Sequence, residues 1–385
     1  MSVIVSCSTK FHAFNLVEQL NRHDMLTSFY TMYASQKNTW FKNFTRRVDK
    51  ENIPINKIKT KISLAILKKL ISNSYLWNDE FDKWVAKEIK RNNNYNTFIG
   101  WSGMSLNAIK QVKKDNNTAI LERGSSHILF QNEILKEEYG KFGINFQIDQ
   151  RTIDKELEEY ELADYITCSS GFVKGTFVEK GISEEKLFVN NYGRSNHFQP
   201  ISEIKQVNNR PFRVLYLGSL LIRKGLIYFF EALKQLNIPK ENIEIWFIGS
   251  IEDSLKSTIQ KYKQENWKFH GHINHYELNK YISECDVAVH PSIEEGLSMV
   301  IPQMLSCGVP VIATTNTGGE DVIEEGENGF IVPIRSPIAI AKKIELLYNN
   351  PKRLKAIKQN TINKKSNLSW EYYGNRYYTF LKSLN

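Results

Sequence analysis

At 385 residues the chain is too long for one ordinary hydrophobic core and suits two domains. Hydrophobic residues make up 41% and charged residues 24%, a globular composition, and no run of eighteen apolar residues exists, which excludes a helix spanning a bilayer. The formal net charge of +9 is concentrated: between Lys37 and Lys69 ten basic residues stand against only Asp49 and Glu51. That segment also holds Trp40, Phe41, Phe44, Ile62, Leu64, Ile66, Leu67 and Leu70. Basic residues interleaved with apolar ones suit either an anionic membrane surface or a solvated helix face. Nucleic acid is not expected as a partner, because no nucleic-acid motif accompanies the charge.

In chain order, Met1 to Cys7 has neither a basic leader nor a long apolar stretch and reads as a first buried strand, not a signal peptide. Further strands are predicted over Leu26–Tyr33, Thr97–Trp101, Thr118–Glu122, Tyr165–Ser169 and Leu187–Asn191. A polar, aperiodic stretch from Pro200 to Pro211 then interrupts the pattern. It resumes with Arg213–Leu217, Ile243–Ile248, Lys268–Gly271, Val287–His290, Val309–Ala313 and Gly329–Val332. Helix-length segments between Val- and Ile-rich runs imply parallel sheets covered on both faces, with ligands at the strands' carboxyl ends. The expected fold is α/β with two doubly wound units: residues 1–199, a linker over 200–211, and residues 212–365, with a last helix in 366–385 packing back on the first. Cys7, Cys168, Cys285 and Cys307 form no Cys-x-x-Cys pair and read as small core residues of a reduced, cytoplasmic protein.

Several strand-to-helix turns carry chemistry. The first, Ser8 to Phe14, has no glycine and offers Lys10 and His12. Thr97 to Met104 is a similar turn, and Leu121 to His127 ends a strand with small residues and a histidine. A lone histidine at a strand end is most often structural, but His127 would face a cleft between two such sheets. Tyr216 to Gly225 places Gly218 and Ser219 at a strand end and Arg223-Lys224-Gly225 before a helix. His270, His272 and His275 have loose spacing with no carboxylate or cysteine to complete a metal site, and no metal is expected there. The most informative block is Asp286 to Pro333. It delivers Glu295 to a loop, lets Gly296 pass close to a ligand, and opens a helix at Leu297, Ser298 and Met299, whose amides suit an anion. A carboxylate beside a phosphate site suits a sugar diphosphate. The ordinary alternative is a plain strand–helix–strand unit.

The order Pro291-Ser292, Glu295-Gly296, then Gly308-Val309-Pro310-Val311 resembles the donor site of family-four GT-B retaining glycosyltransferases, also called group 1 glycosyltransferases. The likeness is strong over 213–335 and looser before it. It implies a nucleotide diphosphate sugar as donor substrate, a glycan or lipid-linked glycan as acceptor, no separate cofactor, and a setting in bacterial envelope polysaccharide synthesis at the inner face of the cell membrane. By that resemblance Glu295 would face the donor sugar, Lys224 and Arg223 would neutralise the diphosphate, and Gly271, His272 and Ile273 would meet the nucleobase. His127 would reach across the cleft. Two positions depart from the family pattern: Gln303 stands where a second acid usually holds the ribose, and Ser219 where an arginine is usual. Those departures keep open a catalytically inactive sugar-binding partner, and a nucleotide-sugar epimerase of the same fold is a further alternative. No Asp-x-Asp occurs, so fixed cations and amides would stabilise the leaving diphosphate without metal.

Overall fold

A computed structural model describes residues 1–32, 53–92, 94–201, 210–363 and 368–384. The first part runs β1 (Val3–Cys7), α1 (Ala13–Arg22), β2 (Leu26–Thr31), β3 (Ile58–Thr60), α2 (Ile62–Leu70), α3 (Ser74–Lys90), β4 (Thr97–Trp101), α4 (Leu106–Lys114) and β5 (Thr118–Arg123). It continues through α5 (Ile128–Gly140), α6 (Gln150–Leu162), β6 (Tyr165–Cys168), α7 (Gly171–Glu179) and β7 (Leu187–Val189). The second part comprises β8 (Phe212–Leu217), α8 (Leu226–Lys234), β9 (Ile243–Ile248), α9 (Asp253–Tyr262), β10 (Trp267–Gly271), α10 (Leu278–Ser283), β11 (Val287–His290), α11 (Val300–Ser306), β12 (Val311–Thr314), β13 (Gly329–Val332), α12 (Pro337–Tyr348) and α13 (Pro351–Asn363). The last helix is α14 (Trp370–Ser383).

The strands form two sheets, in the orders β3-β2-β1-β4-β5-β6-β7 and β10-β9-β8-β11-β12-β13. Every pairing is parallel. Parallel strands need crossover helices, which cover both faces, so strands such as β1 and β4 are buried at every residue. Strand order reverses between β1 and β4 in the first sheet and between β8 and β11 in the second. At such a point neighbouring crossovers leave in opposite directions and open a crevice at the carboxyl ends. These two crevices position the site.

Two strand expectations need correction. β3 was not anticipated, since three partly exposed residues around Lys59 carry no apolar alternation. β12 begins at Val311, not Val309, because Pro310 has no N–H for a ladder; its carbonyl still accepts from the Ala288 amide at 2.9 Å. The first half of the basic segment, from Lys37 to residue 52, lies outside the described residues. No helix among the described residues is long and apolar enough to cross a membrane.

The helix α14 docks on the first sheet. Its Tyr373, Tyr377 and Leu381, spaced four apart on one face, are fully buried in a cluster with Leu16, Val17 and Leu20 of α1. All four cysteines are buried.

Candidate active site between the two sheets

The carboxyl ends of the two sheets face one another around a cavity of about 610 Å³. The first sheet contributes the turn after β1 (Phe11, His12), the end of β4 (Trp101 to Met104) and the end of β5 (Glu122 to Ser125). The second contributes Arg223 and Lys224 from the turn after β8, and Glu295 to Val300 from the turn after β11. These positions are far apart in sequence and meet because they terminate strands at the two reversal points.

Lys224 and Glu295 form an ion pair, with little of either side chain exposed. Burial alone would raise the Glu295 carboxyl, but the charges of Lys224 and Arg223 outweigh it and hold its pKa at about 2. Glu295 is therefore an anion at every physiological pH. Ser292 Oγ adds a contact to the carboxylate at 3.4 Å. Lys224 is aimed by its turn: Gly225 has φ 65°, and a Cβ there would lie 2.0 Å from the Pro291 carbonyl oxygen. His290, buried beneath the pair, is pushed down to about 3 by burial and by Lys224 and Arg223, so it stays neutral.

Next to Glu295, the fully buried Glu294 is the polar tie between the domains. It accepts from Ser125 Oγ at 2.6 Å, Ser126 Oγ at 2.7 Å, Ser126 N at 3.1 Å and Gln131 Nε2 at 3.1 Å, all from the first domain. Its own domain supplies Arg223, 3.3 Å away. Arg223 thus stands between the buried tie and the cavity. Neither Glu294 nor Gln131 was anticipated as part of the site. The sequence signal was faint: a Glu-Glu doublet in which only the second residue matched a known pattern.

Further contacts close the cleft around this tie. Ser170 Oγ donates to the Gly296 carbonyl at 2.7 Å, and Asp321 accepts from Gly171 N at 2.8 Å and Asn191 Nδ2 at 2.6 Å. Leu297 is buried within the first domain's cluster, beside Tyr192.

Several expected site residues sit elsewhere. His127 is 2% exposed and does not line the cavity. It caps α5, with Nδ1 accepting from Leu129 N at 3.3 Å, and its ring packs on Tyr160 and Phe177. Burial, then Arg123 and Lys180, lowers its pKa to about 4, so it is a neutral cap in the core. The histidine on the cavity wall is His12, its Nε2 2.9 Å from Glu122 Oε2. Gly296 gives close approach, but to protein: a Cβ there would lie 2.0 Å from the Gly124 carbonyl oxygen across the cleft. The Ser298 amide donates to the Thr317 carbonyl at 3.1 Å, and α11 begins only at Val300, which removes that amide from any anion site. Gly218 and Ser219 follow β8, where Ser219 Oγ accepts from Ser250 Oγ at 3.3 Å. Gly271 ends edge strand β10, and His272 and Ile273 follow it, with Ile273 buried in the second domain's core. Gln303 is buried on α11. None of these residues from Gly218 to Gln303, apart from the Arg223–Lys224 and Glu295–Met299 groups, lines the cavity.

Comparisons with known proteins bear on the family and the fold. Residues 198–364 match the family Glycosyl transferases group 1. The putative glycosyltransferase EpsD of Bacillus subtilis is 29% identical over 177 residues, 43% of this chain and 46% of that one. The capsular polysaccharide biosynthesis glycosyltransferase CapM of Staphylococcus aureus is 27% identical over 242 residues, 57% of this chain and 62% of that one. The matched stretches thus span about half the length of these relatives. Among solved structures, sucrose-phosphate synthase of Thermosynechococcus elongatus superposes with a TM-score of 0.74 at 18% identity, covering 100% of this chain and 99% of that one. HepE of Anabaena, in complex with UDP, superposes at 0.71 and 17% identity over 100% of both chains. The second half of this chain is therefore similar to the group 1 glycosyl transferases, and the whole chain has the GT-B fold of two facing α/β domains.

Proposed function

We propose that the protein is a retaining glycosyltransferase that moves a sugar from a nucleotide diphosphate sugar to a carbohydrate or lipid-linked acceptor in bacterial surface polysaccharide synthesis. One observation carries the reading: the Lys224–Glu295 pair, with Arg223 beside it, stands at a cavity walled by both domains. A cation that can meet a diphosphate and a carboxylate that can meet sugar hydroxyls are thereby held side by side. HepE has been crystallised with UDP-glucose, and CapM belongs to capsular polysaccharide biosynthesis, which supports the substrate class.

In this mechanism the bond between the anomeric carbon and the leaving phosphate oxygen breaks, while the acceptor oxygen bonds to the same face of that carbon. The acceptor's proton passes to the leaving phosphate. Lys224, helped by Arg223, carries the charge that grows on the diphosphate, so no metal is required. Glu295, ionised throughout, orients the donor sugar. Closure through Glu294 and Leu297 excludes water, whose attack on the donor is the competing reaction. We further propose that the acceptor is met at an anionic membrane. Exposed Ile55, Ile66, Leu70 and Leu76 lie among Lys57, Lys59, Lys61, Lys68 and Lys69, close in sequence to Ser74, Tyr75 and Asn78 of the cavity wall.

The test is protection against heat unfolding by a panel of UDP-, GDP- and ADP-sugars, since a ligand of the native state raises its stability in proportion to RT ln(1 + [L]/Kd). One nucleotide class is expected to protect, and its sugar to be transferred in EDTA with the anomeric configuration kept, read by NMR of the product. Protection by none would remove the donor site. An inverted product, or activity restored by manganese alone, would overturn the mechanism.

A further inference from the structure

The helix α5 belongs to the first domain, yet the second domain holds it at both ends. Near its start, Ser125, Ser126 and Gln131 donate to Glu294. About 10 Å beyond Gln131, at the rise of an α-helix, stands Glu138. Its side chain is fully buried. Glu138 Oε1 accepts from Tyr228 Oη at 2.9 Å, and Oε2 accepts from Arg335 Nε at 2.7 Å. Both donors come from the second domain, Tyr228 from α8 and Arg335 from the turn between β13 and α12. Arg335 Nη1 also pairs with Glu137 Oε1 at 2.8 Å. From its own domain, Lys141 Nζ stands 3.6 Å from Glu138 Oε2. Beside this cluster Tyr139, Phe142 and Ile144 pack against the second domain's core. The helix also lies along the turn Ile222–Lys224, which carries Arg223 and Lys224.

Two features give this cluster a mechanical role. Arg335 has φ 58°, in the left-handed region, where an L side chain is strained. Such strain persists only where the surroundings hold it, and the group held here is a guanidinium that crosses between domains. A fully buried carboxylate, moreover, is tolerated only when paired, and the cation and hydroxyl that touch Glu138 most closely both come from the other domain. Without them, parting the domains is the direct way for Glu138 to regain water. None of Glu138, Tyr228 and Arg335 lines the cavity, so the cluster sets geometry and takes no part in chemistry. We propose that α5 is a strap between the domains and that Glu138, Tyr228 and Arg335 form its latch, holding the cleft closed independently of any ligand. Glu294 fastens the strap beside the cavity, and the latch fastens it outside. Because α5 flanks the turn of Arg223 and Lys224, Glu138 and Arg335 are positioning residues for those two cations. A cleft already closed raises the fraction of molecules ready to bind, and with it the apparent affinity.

Small-angle scattering on the full chain tests this without any donor. Arg335→Asn removes the guanidinium, and asparagine tolerates the left-handed backbone. The free variant should have a larger radius of gyration than the wild type. Adding Glu138→Gln should reverse part of that opening, because a neutral amide costs less to keep buried than an unpaired carboxylate. Simple loss of packing cannot produce such a reversal. If Arg335→Asn does not fold, Tyr228→Phe, which loses only a hydroxyl, decides by opening the free protein in the same sense. Scattering unchanged from wild type, whatever the melting temperature does, would overturn the proposal. So would an opening that Glu138→Gln leaves as large. A second arm rests on the glycosyltransferase reading and uses UDP, GDP or ADP, whichever protects the wild type. That nucleotide should bind Arg335→Asn about fivefold or more weakly, since only closed molecules bind it well. In turnover the loss should fall on the donor KM, with kcat kept within about twofold of wild type. Undiminished affinity, or a loss confined to kcat, would overturn the positioning role. Protection of the wild type by none of the three would bring down the donor reading, and the scattering of the free variants would still decide the latch.

Discussion

Glu295 and Lys224 form one ion pair, and the proposed mechanism gives each a separate role once a donor binds. Replacing either therefore tests a different half of the chemistry. Glu295→Gln removes the charge proposed to orient the sugar, and it also frees Lys224 from its partner. The expected outcome is transfer reduced at least a hundredfold, with affinity for the protecting nucleoside diphosphate unchanged or slightly tighter by calorimetry. Lys224→Ala should weaken that affinity directly, by about 1.5–3 kcal/mol for a lost charge-assisted hydrogen bond. Equal loss of nucleotide affinity in both variants would mean that the carboxylate meets phosphate and the roles are misassigned. The same scale explains why His127 misled the sequence reading. A histidine at a strand end before a helix satisfies the pattern of a cleft residue and that of a helix cap equally well. Only the neighbouring rings of Tyr160 and Phe177 and the Leu129 amide choose the cap.

At the scale of elements, the turn after β11 does two jobs within a few residues. Glu295 faces the cavity, while Glu294, Gly296 and Leu297 grip the other domain. Gly296→Ala would place a Cβ 2.0 Å from the Gly124 carbonyl oxygen and 2.6 Å from Ser169 Oγ, and the first of these is backbone that cannot swing aside. The domains should then be held apart while each keeps its own core. A fall in kcat of about tenfold or more is expected, with a larger radius of gyration by small-angle scattering and a melting temperature within a few degrees of wild type. Wild-type turnover with unchanged scattering would show that this contact does not govern closure. The strands themselves were largely legible, because parallel strands buried on both faces read as continuous runs of Val, Ile and aromatics. The short β3 was not, since an edge strand of three half-exposed residues buries too little to leave a pattern.

Across the whole molecule, charge and apolar exposure fall together on the first domain. Leu70 is 77% exposed beside Lys69 at the end of α2, and the basic excess of the 37–69 segment is a property of the sequence alone. If this face meets anionic lipid, the protein should bind vesicles containing phosphatidylglycerol and leave them as salt rises, since each basic residue near such a surface contributes about 1 kcal/mol that is screened within a Debye length. Neutralising Arg46, Arg47, Lys68 and Lys69 to Gln should release it. Turnover of a soluble glycoside acceptor should stay near the parent's, because neither Lys68 nor Lys69 lines the cavity. Vesicle binding by the quadruple variant equal to the parent's would make the segment a solvated face.

The α/β class and the two-sheet arrangement were determined by sequence, because strand burial and glycine turns act over a few neighbouring residues. Pairing across the cleft was decided only by tertiary structure. Glu294 has its partners at Ser125, Ser126 and Gln131, more than 160 positions away. Glu138 becomes notable only because the far end of α5 meets Tyr228 of α8 and Arg335 of the turn after β13. No local pattern encodes such a meeting. It depends on where two strand orders reverse and on how closely two backbones approach at Gly124 and Gly296.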